Sequence, residues 1–170
     1  RIIGGFSFGE IVLISGRPAM GVSMLLLRSI LRISKSVSVL YCSLDINNRG
    51  IINKVTSLHK DGGRSYFENH FEQSELKEEC CDENIYVAST IFTSIEEYVL
   101  LIAHHVQKDN IKVVVFDNFE LLPETNSNYG IVAVLKEIAE VFNITIILGG
   151  TLDQSCEERG GDKKPKLRDI

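Results

Sequence analysis

The sequence predicts an α/β fold: a mostly parallel sheet with helices on both faces. Three observations carry that expectation. Apolar strand-like runs alternate with stretches of helical periodicity along the chain, the pattern of a sheet built from strand–helix–strand units. The first run, Ile11-Val-Leu-Ile-Ser, passes through Gly16-Arg-Pro-Ala-Met-Gly21 into an apolar helix, so a glycine-bounded loop joins strand to helix. The run Lys112-Val-Val-Val-Phe-Asp117 ends a buried strand on a carboxylate. In such sheets ligands bind at the carboxyl ends of strands. The loop, Asp45, Asp117 and Gly149–Thr151 all fall at those ends.

Taken in order, Gly4-Gly-Phe-Ser-Phe-Gly9 is a glycine-spaced turn leading into the strand Ile11–Ser15, whose unbroken apolar run predicts burial on both faces. The helix after the loop carries Met24, Leu25, Leu27, Ile30, Leu31 and Ile33, apolar nearly all round, and is expected to be central. Ser36–Leu44 reads as a second strand, ending at Asp45-Ile-Asn-Asn, a polar cluster suited to capping a helix of about Gly50–Leu58. Lys60-Asp-Gly-Gly-Arg64 breaks that helix, and Tyr66–Glu79 is a weakly amphipathic, mostly acidic helical stretch read as solvated surface. Asn84–Ser89 is a short strand.

Ser94-Ile-Glu-Glu97 is a capping box, and the helix behind it puts Ile95, Val99, Ile102, Ala103 and Val106 on one face. After the strand Lys112–Asp117 comes a polar loop, Pro123–Asn128. Ile131, Val134, Leu135, Ile138, Ala139 and Phe142 then keep helical spacing without a miss. Ile144–Leu148 is the last clear strand, and from Gly149 onward the sequence reads as loop.

The chain has 170 residues, one domain by length, with 44% hydrophobic and 24% charged residues, as in an ordinary globular protein. Its apolar runs fall far short of the ~20 residues that span a bilayer. It starts at Arg1 without a methionine and reaches a strand almost at once, so it reads as part of a longer protein. Cys42, Cys80, Cys81 and Cys156 lack paired C-x-x-C spacing and are read as reduced structural thiols of a cytoplasmic protein. The net charge of −5 argues against coating nucleic acid with the whole surface. The basic run Arg159-Gly-Gly-Asp-Lys-Lys-Pro-Lys-Leu-Arg168 nevertheless fits a loop contacting phosphates.

Gly16–Gly21 has nearly the form of the phosphate-binding loop G-x-x-x-x-G-K-[ST], with Ser23 in place and Val22 where the lysine belongs. Consecutive backbone N–H groups and a helix N-terminus aimed at one point suit a phosphate. Ser23 occupies the position of the hydroxyl that ligates Mg²⁺, and Asp117 that of the acid which orients the metal. Val22 removes the cation that offsets charge on the outer phosphates. Arg17 could reach a phosphate from the loop or stand as an exposed loop arginine. Met20 and Met24 read as loop packing and core. His104 and His105 are adjacent on a helix, one half buried and one wet; His59 and His70 read as surface. None has metal-ligand spacing.

Several segments taken together resemble one family. These are Gly4-Gly-Phe-x-x-Gly9-Glu, Ile-Ser-Gly-Arg-Pro-Ala-Met-Gly21, Ser43-Leu-Asp45 and Val-Phe-Asp117-x-x-Glu-Leu-Leu, followed by Leu152-Asp-Gln-Ser-Cys-Glu-Glu-Arg159 and Lys163-Lys-Pro-Lys-Leu-Arg-Asp169. Their order and spacing resemble the RecA-like C-terminal domain of DnaB-type replicative DNA helicases across essentially the whole chain. A RadA- or KaiC-like relative is the looser alternative. The resemblance implies a RecA-like P-loop NTPase fold, ATP with Mg²⁺ as cofactor, ATP-driven translocation on single-stranded DNA, a hexameric ring of identical subunits, and other replication proteins as partners.

Residue by residue, the resemblance puts Gly16, Arg17, Pro18, Ala19, Met20, Gly21, Val22 and Ser23 at the nucleotide, and Ser23 and Asp117 at the metal. Asp45 falls at the position of the glutamate that activates the attacking water, and Thr151 at that of a glutamine that senses the γ-phosphate. Arg159, Lys163, Lys164, Lys166 and Arg168 fall in a loop region facing single-stranded DNA. The loop Pro123–Asn128, where a second DNA-facing loop is implied, has no lysine or arginine. Val22, Asp45 and Thr151 all depart from the family pattern at catalytic positions. The expectation is therefore a helicase-type domain with impaired catalysis, or else a non-catalytic RecA-like assembly module or nucleotide sensor.

Overall fold

The computed structural model describes residues 5–59, 84–123 and 130–152. The elements are β1 (Ile11–Gly16), α1 (Val22–Ile33), β2 (Ser38–Ser43), α2 (Asn48–His59), β3 (Ile85–Ala88), α3 (Ile95–Asp109), β4 (Ile111–Asp117), a short 3-10 turn (Phe119–Leu121), α4 (Gly130–Phe142) and β5 (Thr145–Thr151). The acidic stretch Tyr66–Glu79, residues 124–128 of the predicted polar loop and the basic run Arg159–Arg168 lie outside the described residues.

All four strand pairings are parallel, in the order β1-β5-β4-β2-β3. The chain crosses the sheet one way through α1 and α2 and returns through α3 and α4. Right-handed crossovers then place the two helix pairs on opposite faces. The alternation of side chains along β4 makes two cores from one strand. Val114 and Phe116 pack with Tyr98, Ile102, Leu135 and Ala139 of α3 and α4, while Val113 and Val115 pack with Leu26, Leu27, Ile30 and Ile51 of α1 and α2.

The helices start where local chemistry starts them. Glu97 closes the predicted capping box, its Oε2 accepting from the backbone N–H groups of Thr93 at 3.1 Å and Ser94 at 3.2 Å. Asn47 Oδ1 accepts from the N–H of Gly50 at 2.9 Å and caps α2.

Three expectations are corrected. β1 is an edge strand with Leu13 41% exposed, not a strand buried on both faces. α1 buries one side only: Met24 is 37% and Leu25 53% exposed, and Met20 in the loop is 69% exposed. The two methionines therefore belong to the surface and not to the core. β5 runs on through Gly149, Gly150 and Thr151, because Ile14, Ser15 and Gly16 of β1 continue to pair with them. Among the described residues, no helix is long and apolar enough to cross a membrane.

Candidate functional site

The sheet register assembles the site. Gly16 at the end of β1 lies opposite Thr151 of β5, and Asp117 at the end of β4 lies between Ser43 of β2 and Gly149 of β5. Between these ends opens a cleft of about 280 Å³. Gly16 to Met24, Asp45, Asp117, Asn118, Gly150 and Thr151 line it. Every nucleotide, metal and catalytic position expected from the sequence thus faces one cavity.

The loop that bounds the cleft is held by its backbone. Met20 N–H donates to the Arg17 carbonyl at 3.1 Å, and both Ala19 and Gly21 have positive φ, 63° and 82°. Gly21 at that angle starts α1 with no side-chain cap, and the first turn of α1 carries no acid. A helix N-terminus without its own anion keeps its partial positive charge for a ligand. Arg17 is half-buried and lines the cleft, so the exposed-loop alternative for it does not hold.

Val22 is folded back on the loop. A Cβ on residue 16 would come within 2.8 Å of Val22 Cγ2, and Val22 packs on the α1–α2 core. The side chain at the lysine position therefore packs against Gly16 at the wall of the cleft and, being apolar, offers the cleft no charge.

Asp117 is 3% exposed, and both its oxygens are engaged. Ser23 Oγ donates to Oδ1 at 3.2 Å, and the Tyr41 hydroxyl donates to Oδ2. Burial first, and then the charge of Asp117, pushes the Tyr41 phenol well above its ordinary 10.0. The Ser23–Asp117 pair is a hydroxyl beside a carboxylate, the oxygen set a Mg²⁺ ion takes, and the residues fit that ion. Among the described residues there is no group of three or more His, Cys, Asp or Glu side chains able to hold a metal.

Asp45 is exposed at the mouth of the cleft, on a turn where Ile46 N–H donates to Ser43 Oγ at 3.2 Å. Thr151 is tied into a small network. Its N–H donates to Glu120 Oε1, while Asn118 Nδ2 reaches Glu120 Oε2 at 2.9 Å and Thr151 Oγ1 at 3.3 Å. Glycine is required beside these groups. A Cβ on Gly149 would meet Leu26 Cδ1 at 2.4 Å, and one on Gly150 would meet the Phe119 ring at 2.5 Å.

Sequence reasoning missed Tyr41 and Asn118, and it reached Glu120 only as part of the segment Val-Phe-Asp117-x-x-Glu-Leu-Leu, without a role. Tyr41 had one available signal, since it shares a strand face with Ser43 two residues before the strand end. Of the expected structural thiols, Cys42 is described; it is free, buried in the α3–α4 core and pushed up to about 12 by burial. His105 is half-buried and bonds Asp109 Oδ2 at 2.7 Å, whereas His104 is exposed.

The fold and the site define a RecA-like P-loop domain, with one strand inserted between the phosphate-loop strand and the strand bearing Asp117. A solved DnaB-like replicative helicase, described together with its interactions with primase, superposes with a TM-score of 0.72 at 20% identity, over 97% of this chain and 44% of that one. A second solved structure, described as an ATPase domain, gives 0.72 at 20% identity, over 97% of this chain and 64% of that one. The DnaB-like helicase C terminal domain family matches residues 1–170, and the chain belongs to that family. The replicative DNA helicase DnaB of Mycoplasma genitalium is 25% identical over 191 residues, and the chain spans 40% of its length.

Proposed function

We propose that this chain is the nucleotide-binding domain of a DnaB-type replicative helicase, able to take up ATP but impaired in hydrolysing it. The observation that carries the reading is Val22, packed against Gly16 where a cation would face the outer phosphates. A hydrogen bond to a charged partner contributes about 1.5–3 kcal/mol, so its loss costs roughly ten- to a hundredfold in affinity. The remaining affinity comes from the loop N–H groups, the N-terminus of α1 and Arg17.

Ser23 and Asp117 would hold Mg²⁺, which when bound draws charge from the phosphates. Asp45 stands for the water-activating acid, but its carboxylate is set back by one methylene, about 1.5 Å. A general base must come within about 2.6–3.2 Å of the group it deprotonates, so that set-back is enough to matter. Thr151, with its N–H committed to Glu120, stands for the γ-phosphate sensor without a glutamine's reach.

The wider proposal follows the family: a hexameric ring, single-stranded DNA met by Arg159, Lys163, Lys164, Lys166 and Arg168, replication proteins as partners and a cytoplasmic setting. The non-catalytic alternative, an assembly module or nucleotide sensor, is favoured by the same Val22. A phosphate-release assay at saturating Mg-ATP, with and without single-stranded DNA, tests the reading. A flat trace is expected; DNA-stimulated turnover that requires Asp117 would sink the impairment.

A further inference from the structure

Asp117 is the only buried charged side chain among the described residues, and it receives hydroxyls from two elements. Ser23 arrives from the first turn of α1 on Oδ1, and Tyr41 from β2 on Oδ2. Tyr41 is 1% exposed and fixed in a strand paired on both sides, with Val87 of β3 and Val115 of β4.

A carboxylate turns easily about its last torsion. A donor on one oxygen from a rigid strand removes that freedom and turns the other oxygen toward Ser23 and the cleft. Gly149 leaves room for this arrangement, since a Cβ there would stand 3.3 Å from Oδ1.

We infer that Tyr41 is a positioning residue, holding Asp117 so that Oδ1 and the Ser23 hydroxyl are presented together to the divalent cation that accompanies a nucleoside triphosphate. The inference deepens the functional reading and depends on it. It also gains weight from Val22: without a lysine, more of the triphosphate's charge must be met through the cation, so the orientation of its carboxylate matters more. Partners of this kind, which orient a metal-binding group, typically change metal affinity about ten- to a hundredfold when removed.

The test titrates a labelled ATP analogue into the chain, once in excess chelator and once in saturating Mg²⁺, for the unsubstituted protein, Tyr41→Phe and Tyr98→Phe. Tyr98 is the control for loss of a buried hydroxyl. It is 1% exposed on the opposite face, and its hydroxyl accepts from Phe92 N–H at 3.2 Å. Tyr41→Phe is expected to cut the Mg²⁺-dependent tightening about tenfold while leaving the affinity in chelator unchanged. Tyr98→Phe should leave both unchanged. In an Asp117→Asn background, Tyr41→Phe should add nothing, because the two act as one unit. Tyr41→Phe behaving like Tyr98→Phe, or keeping its effect in the Asp117→Asn background, overturns the inference alone. An unsubstituted chain that binds no analogue in either condition overturns the functional reading and the inference with it.

Discussion

The chemistry of the cleft turns on single side chains with little room around them. Gly149 has Leu26 on one side and the carboxylate of Asp117 on the other, with a Cβ meeting Leu26 Cδ1 at 2.4 Å. Gly149→Ala is expected to cost about 1–3 kcal/mol as overpacking, seen as a lower urea midpoint with an unchanged slope. An unchanged midpoint would show that the contact relaxes freely. Much of this scale is legible in the sequence. Gly16, Gly21, Val22 and Ser23 are set by spacing within one loop, and Asp117 by its place at the end of an apolar run. For Tyr41 only the strand face is legible and not the partner, which lies 76 residues away. The pair forms only once β2 and β4 adopt a register that sets Ser43 beside Asp117. Glu120 and Asn118 escape for the same reason: their bonds to Thr151 depend on how β5 lies beside the turn after β4.

Elements are legible where their signals are local. The α3 cap needs only Ser94 and Glu97, three residues apart, and it is in place. Glu97→Ala should remove the acceptor shared by two backbone N–H groups and cost about 1 kcal/mol. A fall of about 2–4 °C in the thermal midpoint would follow, and no fall would mean water replaces the carboxylate without loss. β1, α1 and β5 depart from expectation because tertiary context decides them. β1 has the composition of a buried strand, but it stands at the edge of the described sheet. α1 is apolar on more sides than the sheet and α2 cover, which leaves Met24 on the cleft and Leu25 in solvent. Gly149 and Gly150 look like strand breakers, yet pairing with β1 carries β5 through both. Their lack of a Cβ is what lets Leu26 and Phe119 approach.

For the whole molecule, the alternation of strands and helices is enough to give a parallel sheet covered on both faces. A parallel sheet then brings the carboxyl ends of β1, β2, β4 and β5 to one side. That convergence makes residues spread from Gly16 to Thr151 into one cleft, and it explains why positions far apart in the sequence meet in space. The strand order and the identity of the edge strand are not legible, since they follow from crossover geometry across the full chain. Family membership is secure along residues 1–170, whereas the proposed impairment rests on a few atoms at the loop. The central claim is that the ancestral phosphate site persists and is disarmed at residue 22. The most direct measurement is the affinity of a labelled ATP analogue, with Mg²⁺, for the chain and for its Val22→Lys variant. Restoring the cation should tighten binding roughly ten- to a hundredfold; equal affinities, or tight binding already present with Val22, would contradict the claim.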